Sequence, residues 1–322
     1  MPWSSTAHWL AERPERRDNP VTEQNRKDIA FASGKERCAA WLYLPEGASA
    51  DHKVPIIVMA HGLGGVRRAR LDAFAERFCA AGYACLVFDY RHFGDSTGMP
   101  RELLRVPLQR EDYHAAIAHA RTIPEVDPER VVLWGTSFSG GHVIVTAAED
   151  PRVVAAIAQC PFTDGIASVL AINPIVSAKL TVLATQDAAL AASGKGLVRV
   201  PLVGAPGETA LMTAPDAKPG YEAVLAAAGY DVPTGMAARV VFDVLRARPG
   251  VKAKDVVCPI MFAVCKPDSV APSKATLRHA AKAPKGEIKM YDAGHFDIYV
   301  GDDFEQVVAD ELDFLSRHVP LG

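Results

Sequence analysis

The six cysteines, Cys38, Cys79, Cys85, Cys160, Cys258 and Cys265, are scattered and form no CxxC pair. That spacing argues against a disulfide framework and reads as reduced, buried small residues. HExxH, Cys/His clusters and EF-hand loops are also missing, so no metal is implied. The stretch His61-Gly-Leu-Gly-Gly65 falls short of a dinucleotide fingerprint, because Arg67 stands where GxGxxG needs glycine. No other cofactor motif stands out.

Charge of one sign is lacking too. Net charge is −3 and no basic patch emerges, which removes the electrostatic footprint of a nucleic-acid binder. Met1 to Pro20 carries Glu12, Arg13, Glu15, Arg16, Arg17 and Asp18 and has no apolar core, so it reads as neither signal peptide nor anchor. Nothing later reaches the roughly 18 uncharged apolar residues of a membrane span. Gly165–Ala178 comes nearest, but Asn173 and Pro174 interrupt it. No membrane partner and a cytoplasmic location are expected. Repeats and low-complexity tracts are absent.

What is present is a rhythm of short buried runs and helical stretches. Lys27–Ser33 and Arg37–Leu44 flank Gly34 as an antiparallel hairpin. Val54–Ala60, Ala84–Tyr90, Arg130–Trp134 and Val153–Cys160 read as strands covered on both faces. Helical patterns at Arg67–Ala81, Leu108–Arg121 and Ser139–Ala148 lie between them. The order calls for a doubly wound, mostly parallel α/β sheet.

The rhythm stops at Phe162 and resumes near Val251. Strands at Pro259–Val264 and Glu287–Tyr291 and helices at Pro272–Ala283 and Asp303–His318 then complete the pattern. The reading is an N-terminal extension at 1–20, a core at 21–161 and 252–322, and a helical cap insertion at 162–251. The extension carries Trp3 and Trp9, expected to pack on the cap or on a second subunit.

Chemistry concentrates at Gly135-Thr-Ser137-Phe-Ser139-Gly-Gly141. A buried strand runs into a tight turn of small residues and then a helix, which lifts a serine hydroxyl above the sheet. Ser137 is the expected nucleophile. Ser139 stands where glycine is usual and offers a shifted alternative. A tight turn with an incidental serine would be the structural explanation.

Such a serine needs a general base, and in this topology the order runs serine, acid, histidine. His295, in the loop after the last strand, has both order and topology. Asp268 follows the strand Pro259–Val264 and would orient the imidazole. Its competing explanation is turn chemistry, and Asp164 is the rival acid. His8, His52, His114, His119, His279 and His318 read as surface residues. His92 and His142 are minor candidates for substrate contact, and His61 as a structural buttress. An oxyanion hole is expected from the backbone N–H groups of Leu63 and Phe138.

These pieces resemble the α/β-hydrolase superfamily. The matching segments are His61-Gly-Leu-Gly-Gly65, Asp89-Tyr-Arg-His-Phe-Gly-Asp-Ser-Thr-Gly98, Gly135–Gly141, Pro267-Asp-Ser-Val-Ala-Pro272 and Gly294-His-Phe-Asp-Ile-Tyr299. The chain is similar to the branch of serine aminopeptidases, X-Pro dipeptidyl peptidases and dienelactone-hydrolase-like esterases. The resemblance implies an α/β-hydrolase fold with a sheet of about eight strands, a cap over the site, and triad roles for Ser137, Asp268 and His295. It also implies that the loop holding Asp89, Arg91 and Asp95 is structural.

A serine at the elbow argues against dehalogenation or epoxide opening, which need a carboxylate there. Acyl transfer to water remains, from a small-molecule ester, thioester, lactone or amide. Apolar residues of the insert are expected to line an apolar pocket over Ser137: Ile166, Val169, Leu170, Ile172, Ile175, Val176, Leu180, Val182, Leu183, Met212 and Met236. Their alternative use is the insert's own core or a homodimer contact. An aminopeptidase would need a carboxylate for the substrate ammonium, with Glu208, Asp187, Asp216 and Glu222 as candidates. Carboxylesterase is the first reading; amide hydrolase, thioesterase and lactonase are the alternatives, and a non-enzymatic binder is the contrasting class.

Overall fold

The computed structural model describes residues 26–229 and 235–321. The N-terminal extension with Trp3 and Trp9 lies outside the described residues. The hairpin is β1 (Arg26–Ser33) and β2 (Glu36–Tyr43), paired antiparallel around Gly34. Gly34 takes φ +57°, a left-handed conformation that glycine adopts without steric cost. The chain continues through β3 (Val54–Ala60), α1 (Leu71–Ala80), β4 (Ala84–Phe88), α2 (Val106–Ala120), β5 (Val126–Thr136), α3 (Phe138–Glu149) and β6 (Val153–Gln159). Then come α4 (Gly165–Ala171), α5 (Pro174–Ala192), β7 (Arg199–Pro201), α6 (Ala217–Ala228), β8 (Gly235–Ala237) and α7 (Val240–Arg246). β9 (Ile260–Cys265), α8 (Ser273–Ala280), β10 (Gly286–Tyr291) and α9 (Gly301–His318) close the chain.

Eight strands form one sheet in the order β1-β2-β4-β3-β5-β6-β9-β10. From β4 to β10 every neighbour is parallel; β2 meets β4 antiparallel. The fully apolar runs VPIIVMA, ACLVF and IMFAVC are buried at every residue, as central strands between helical layers must be. This is the expected doubly wound α/β-hydrolase fold. All six cysteines are buried and unpaired.

Helix α1 begins at Leu71 rather than at Arg67. The Arg67 N–H donates to Asp89 Oδ1 at 2.7 Å, and its guanidinium pairs with Asp89 and lies 4.7 Å from the centre of the Trp41 ring. This tertiary anchoring overrides the local helical pattern.

Asn173 and Pro174 do more than interrupt an apolar run. Asn173 Oδ1 accepts from Ile175 N at 2.9 Å and Pro174 occupies the first turn, so the pair starts α5. Contrary to the sequence expectation, the 19-residue α5 is long and apolar enough to cross a membrane by length and composition. It contains Lys179 and Asp187. Asp187 is buried and accepts from Val198 N (2.8 Å), Arg239 N (3.0 Å) and Arg239 Nε (2.7 Å). These bonds tie α5 to the residue before β7 and to the segment between β8 and α7.

One buried carboxyl makes a stability prediction. Glu311 on α9 is fully buried, with Oε2 accepting from Trp134 Nε1 at 3.1 Å and Oε1 without a partner. Burial raises its pKa to about 8 from 4.5. Between those values the unfolded chain releases a proton that the folded chain keeps, so stability falls as pH rises, by about 1.4 kcal/mol per pH unit. Glu311→Gln removes that slope. In urea denaturation the variant should gain on the parent protein steadily from about pH 5 to about pH 8, then run parallel. A gap independent of pH would show that Glu311 is ionised in the folded protein.

Candidate active site

The sequence around Ser137 folds into a strained corner. Ser137 takes φ 55° and ψ −119°, a conformation that costs a non-glycine residue on the order of 1–3 kcal/mol. Three backbone bonds hold it there. Ser137 N donates to Gln159 O at 2.8 Å, and Ser137 O accepts from Gly140 N at 3.0 Å and Phe162 N at 2.9 Å. Close packing explains the small residues of the motif. A Cβ on Gly135 would lie 2.6 Å from Ser139 O and 2.7 Å from Val143 Cγ2; one on Gly62 would lie 2.9 Å from Ser137 Cβ.

The corner delivers Ser137 Oγ to 2.9 Å from His295 Nε2. His295 Nδ1 lies 2.8 Å from Asp268 Oδ2. Asp268 Oδ1 accepts from Val270 N at 2.9 Å and Ala271 N at 2.7 Å. The turn chemistry and the contact with histidine are therefore shared between the two oxygens of one carboxylate. Both side chains are buried, His295 at 1% and Asp268 at 2% exposure. Burial alone would push the imidazole pKa down; the Asp268 charge and hydrogen bond outweigh it and hold His295 well above 6.5.

Ser139 is directed elsewhere. It is fully buried, and its Oγ lies 2.8 Å from the Tyr90 hydroxyl. Asp164 caps α4, accepting from Ile166 N at 3.0 Å and Ala167 N at 3.2 Å. Its other oxygen faces Arg278 at 3.2 Å.

The remaining histidines sort by contact. His61 is buried edge-on to Tyr90, and burial lowers its pKa, which keeps it neutral. His142 lies 2.9 Å from Gln109 Oε1, its pKa pushed by burial to about 3. His92 faces Pro100 O at 3.0 Å. Neither His92 nor His142 borders the cavities around Ser137. One expectation fails: His279 is buried, not on the surface, because α8 packs its ring against Gly250 beside Asp164.

Asp89 and Asp95 share Arg67, with Arg67 Nη2 2.8 Å from Asp95 Oδ2. Arg91 pairs with Asp112 at 2.6 Å. Ion pairs thus tie the loop to Arg67, ahead of α1, and to Asp112 on α2.

Two cavities meet at Ser137. The larger, of about 360 Å³, lies between the elbow and α4, α5, the 206–215 loop and α7. Among the described residues, no Asp, Glu, Lys, Arg or His borders it. The smaller, of about 40 Å³, is bordered by Gly62, Val224, His295 and Phe296, among others. Leu63 borders both, and Phe138 the larger. Phe138 opens α3 directly after Ser137, so its N–H has no intrahelical acceptor.

The insert's apolar residues divide three ways. Val169, Ile172, Leu180 and Met212 line the larger cavity, while Val176 and Met236 are buried in the core, with Leu183 packed against it. Ile166, Leu170, Ile175 and Val182 face solvent. None of the candidate carboxylates lines the larger cavity. Asp187 is bound by Arg239, Glu208 accepts from Ala205 N in its own loop, Asp216 accepts from the Ser269 hydroxyl, and Glu222 is exposed.

Several contributors stand outside the expected site residues. Tyr90 fixes Ser139. Gln159 Nε2 donates to Thr136 Oγ1 at 3.0 Å, and Tyr299 also bonds Thr136, so the residue before the nucleophile is held from two sides. Tyr90 and Tyr299 lie within segments that carry the family resemblance, which was the available signal. For Gln159 there was none.

Comparison with known proteins agrees with this fold. The profile described as "Alpha/beta hydrolase family" matches residues 57–311. The chain is 55% identical over 294 residues to the quorum-quenching protein AidA of Acinetobacter baumannii (strain MDR-ZJ06), spanning 91% of this chain and 95% of the relative. A 110-residue stretch is 41% identical to the thiohydrolase aneE of Aspergillus aculeatus, covering 34% of this chain and 35% of that one. The crystal structure of the alpha/beta hydrolase GrgF from Penicillium sp. sh18 superposes with a TM-score of 0.77 at 26% identity, over 91% of this chain and 98% of that chain.

Proposed function

Because the chain belongs to the alpha/beta hydrolase family, we propose that it is a serine hydrolase that cleaves carboxylic esters through an acyl-enzyme on Ser137. The observation that carries this reading is the unbroken chain Asp268–His295–Ser137, at 2.8 and 2.9 Å, opening on a cavity without charge.

In this reading His295 Nε2 takes the Ser137 proton as Oγ attacks the carbonyl carbon. Asp268 fixes the imidazole and stabilises the imidazolium. The N–H groups of Leu63 and Phe138 hold the oxyanion, supplying the electrostatic part of the rate enhancement. His295 then protonates the departing alkoxide. Water, deprotonated by the same histidine, releases the acid and restores Ser137. Residues 162–251 act as the lid that forms the apolar wall.

Within the branch suggested by the sequence, the uncharged cavity favours an esterase over an aminopeptidase. A substrate ammonium buried there would meet no carboxylate, at a desolvation cost of several kcal/mol. Thioesters are the second reading, favoured by the likeness to a protein named thiohydrolase.

The test is a substrate panel: methyl decanoate, its S-methyl thioester analogue, decanolactone and leucyl anilide. Ester turnover should dominate, with thioester turnover next and anilide cleavage at background. Cleavage of the anilide alone would reverse the assignment to an aminopeptidase. No turnover of any member, with stoichiometric binding of decanoate, would favour a binder on a hydrolase scaffold.

A further inference from the structure

The two cavities at Ser137 differ about ninefold in volume, 360 against 40 Å³, and they are not equivalent chemically. Ser137, Leu63 and Met212 border both, so the nucleophile stands at the neck between them. His295 borders only the smaller one. From this asymmetry we infer that the enzyme selects esters that join a bulky apolar acyl group to a leaving alcohol of only a few atoms. The inference rests on the esterase reading above and adds the division of substrate between the two cavities.

Proton transfer decides which part goes where. When Ser137 Oγ bonds to the carbonyl carbon, its proton passes to His295 Nε2. The carbonyl π electrons move to the oxyanion and then return, the bond from carbon to alkoxide oxygen breaks, and the Nε2 proton moves to that oxygen. The departing oxygen must therefore lie within hydrogen-bond reach of Nε2. Of the two cavities the smaller is the one that His295 borders, which assigns the departing oxygen to it. The acyl substituent lies on the opposite side of the carbonyl carbon, in the larger cavity.

The volumes then set the sizes. At about 10–15 Å³ for each water-sized group, 40 Å³ admits roughly three such groups: the oxygen and one or two carbons. Its walls are firm, because Leu71, Tyr221, Val224 and Tyr299 are buried core residues. The larger cavity falls within the range of about 300–1,000 Å³ typical of small-molecule sites. Val169, Ile172, Leu180 and Val241 give it apolar walls, which suits an acyl chain of medium length.

Two isomers separate this arrangement from its reverse. Methyl decanoate and nonyl acetate share one formula and place the long chain on opposite sides of the ester. With the unmodified protein, kcat/KM for methyl decanoate should exceed that for nonyl acetate by at least about tenfold. Val241→Trp, which adds bulk to the wall of the larger cavity, should lower the ratio of methyl decanoate to methyl butanoate turnover by a similar factor. Val224→Ala, which enlarges the smaller one, should raise butyl relative to methyl decanoate. Equal turnover of the isomers, or preference for nonyl acetate, overturns the division while leaving the esterase reading intact. If neither isomer is hydrolysed and a fluorophosphonate does not label the protein, the esterase reading itself falls and this inference with it.

Discussion

Ser137→Ala should lower kcat/KM toward the preferred ester by about a million-fold, to the level left by oxyanion binding alone. Ser139→Ala should leave turnover within about tenfold of the parent. The two hydroxyls are two residues apart, yet only one meets a base. Ser137 Oγ is 2.9 Å from His295 Nε2, whereas Ser139 Oγ is buried against the Tyr90 hydroxyl at 2.8 Å. The Ser139 change removes one buried hydrogen bond and strands the Tyr90 hydroxyl, a stability cost of about 1–3 kcal/mol. The measurement is steady-state kinetics alongside thermal unfolding. Loss of activity in the Ser139 variant with unchanged unfolding, and retained activity in the Ser137 variant, would move the nucleophile.

Asp268→Asn should lower kcat by about ten-thousand-fold and also move the pH profile. Two opposing effects act on His295. Burial favours the neutral ring, and the Asp268 carboxylate favours the charged one and prevails. The imidazole must be neutral to accept the Ser137 proton. Activity of the parent protein should therefore rise with pH through a midpoint above 6.5. With asparagine the carboxylate charge is gone and burial remains, so the midpoint should drop. A profile of kcat/KM against pH from 4.5 to 9 checks this for both proteins. An unchanged midpoint in the variant would mean that a group other than His295 sets the acid limb.

The parts legible in the sequence were those fixed by strong, local physical demands. VPIIVMA and IMFAVC are central strands because they are buried on both faces, and nothing polar could stand in them. Ser137, Asp268 and His295 were readable because each follows a strand directly, where a loop must leave the sheet on the same edge. Asn173 and Pro174 carried the opposite lesson. Read as a break, they begin α5, because a polar cap and a proline start helices as readily as they end them. The three-residue strands β7 and β8 were invisible, since three residues carry no period.

The insert's apolar residues were countable but not assignable. Composition alone does not distinguish Leu180, which lines the larger cavity, from Leu170, which faces solvent. That choice depends on how α4, α5 and α7 pack. His279 was misplaced for the same reason: its burial comes from Gly250, which a helical pattern on α8 does not register.

The account turns on which atom the protein uses as its nucleophile, and mass-spectrometric mapping of a fluorophosphonate adduct reads that directly. One adduct per chain on the peptide containing residues 131–152, localised by fragmentation to Ser137 and absent from His295→Ala, is the predicted result. An adduct on Ser139, or labelling indifferent to His295, would contradict it.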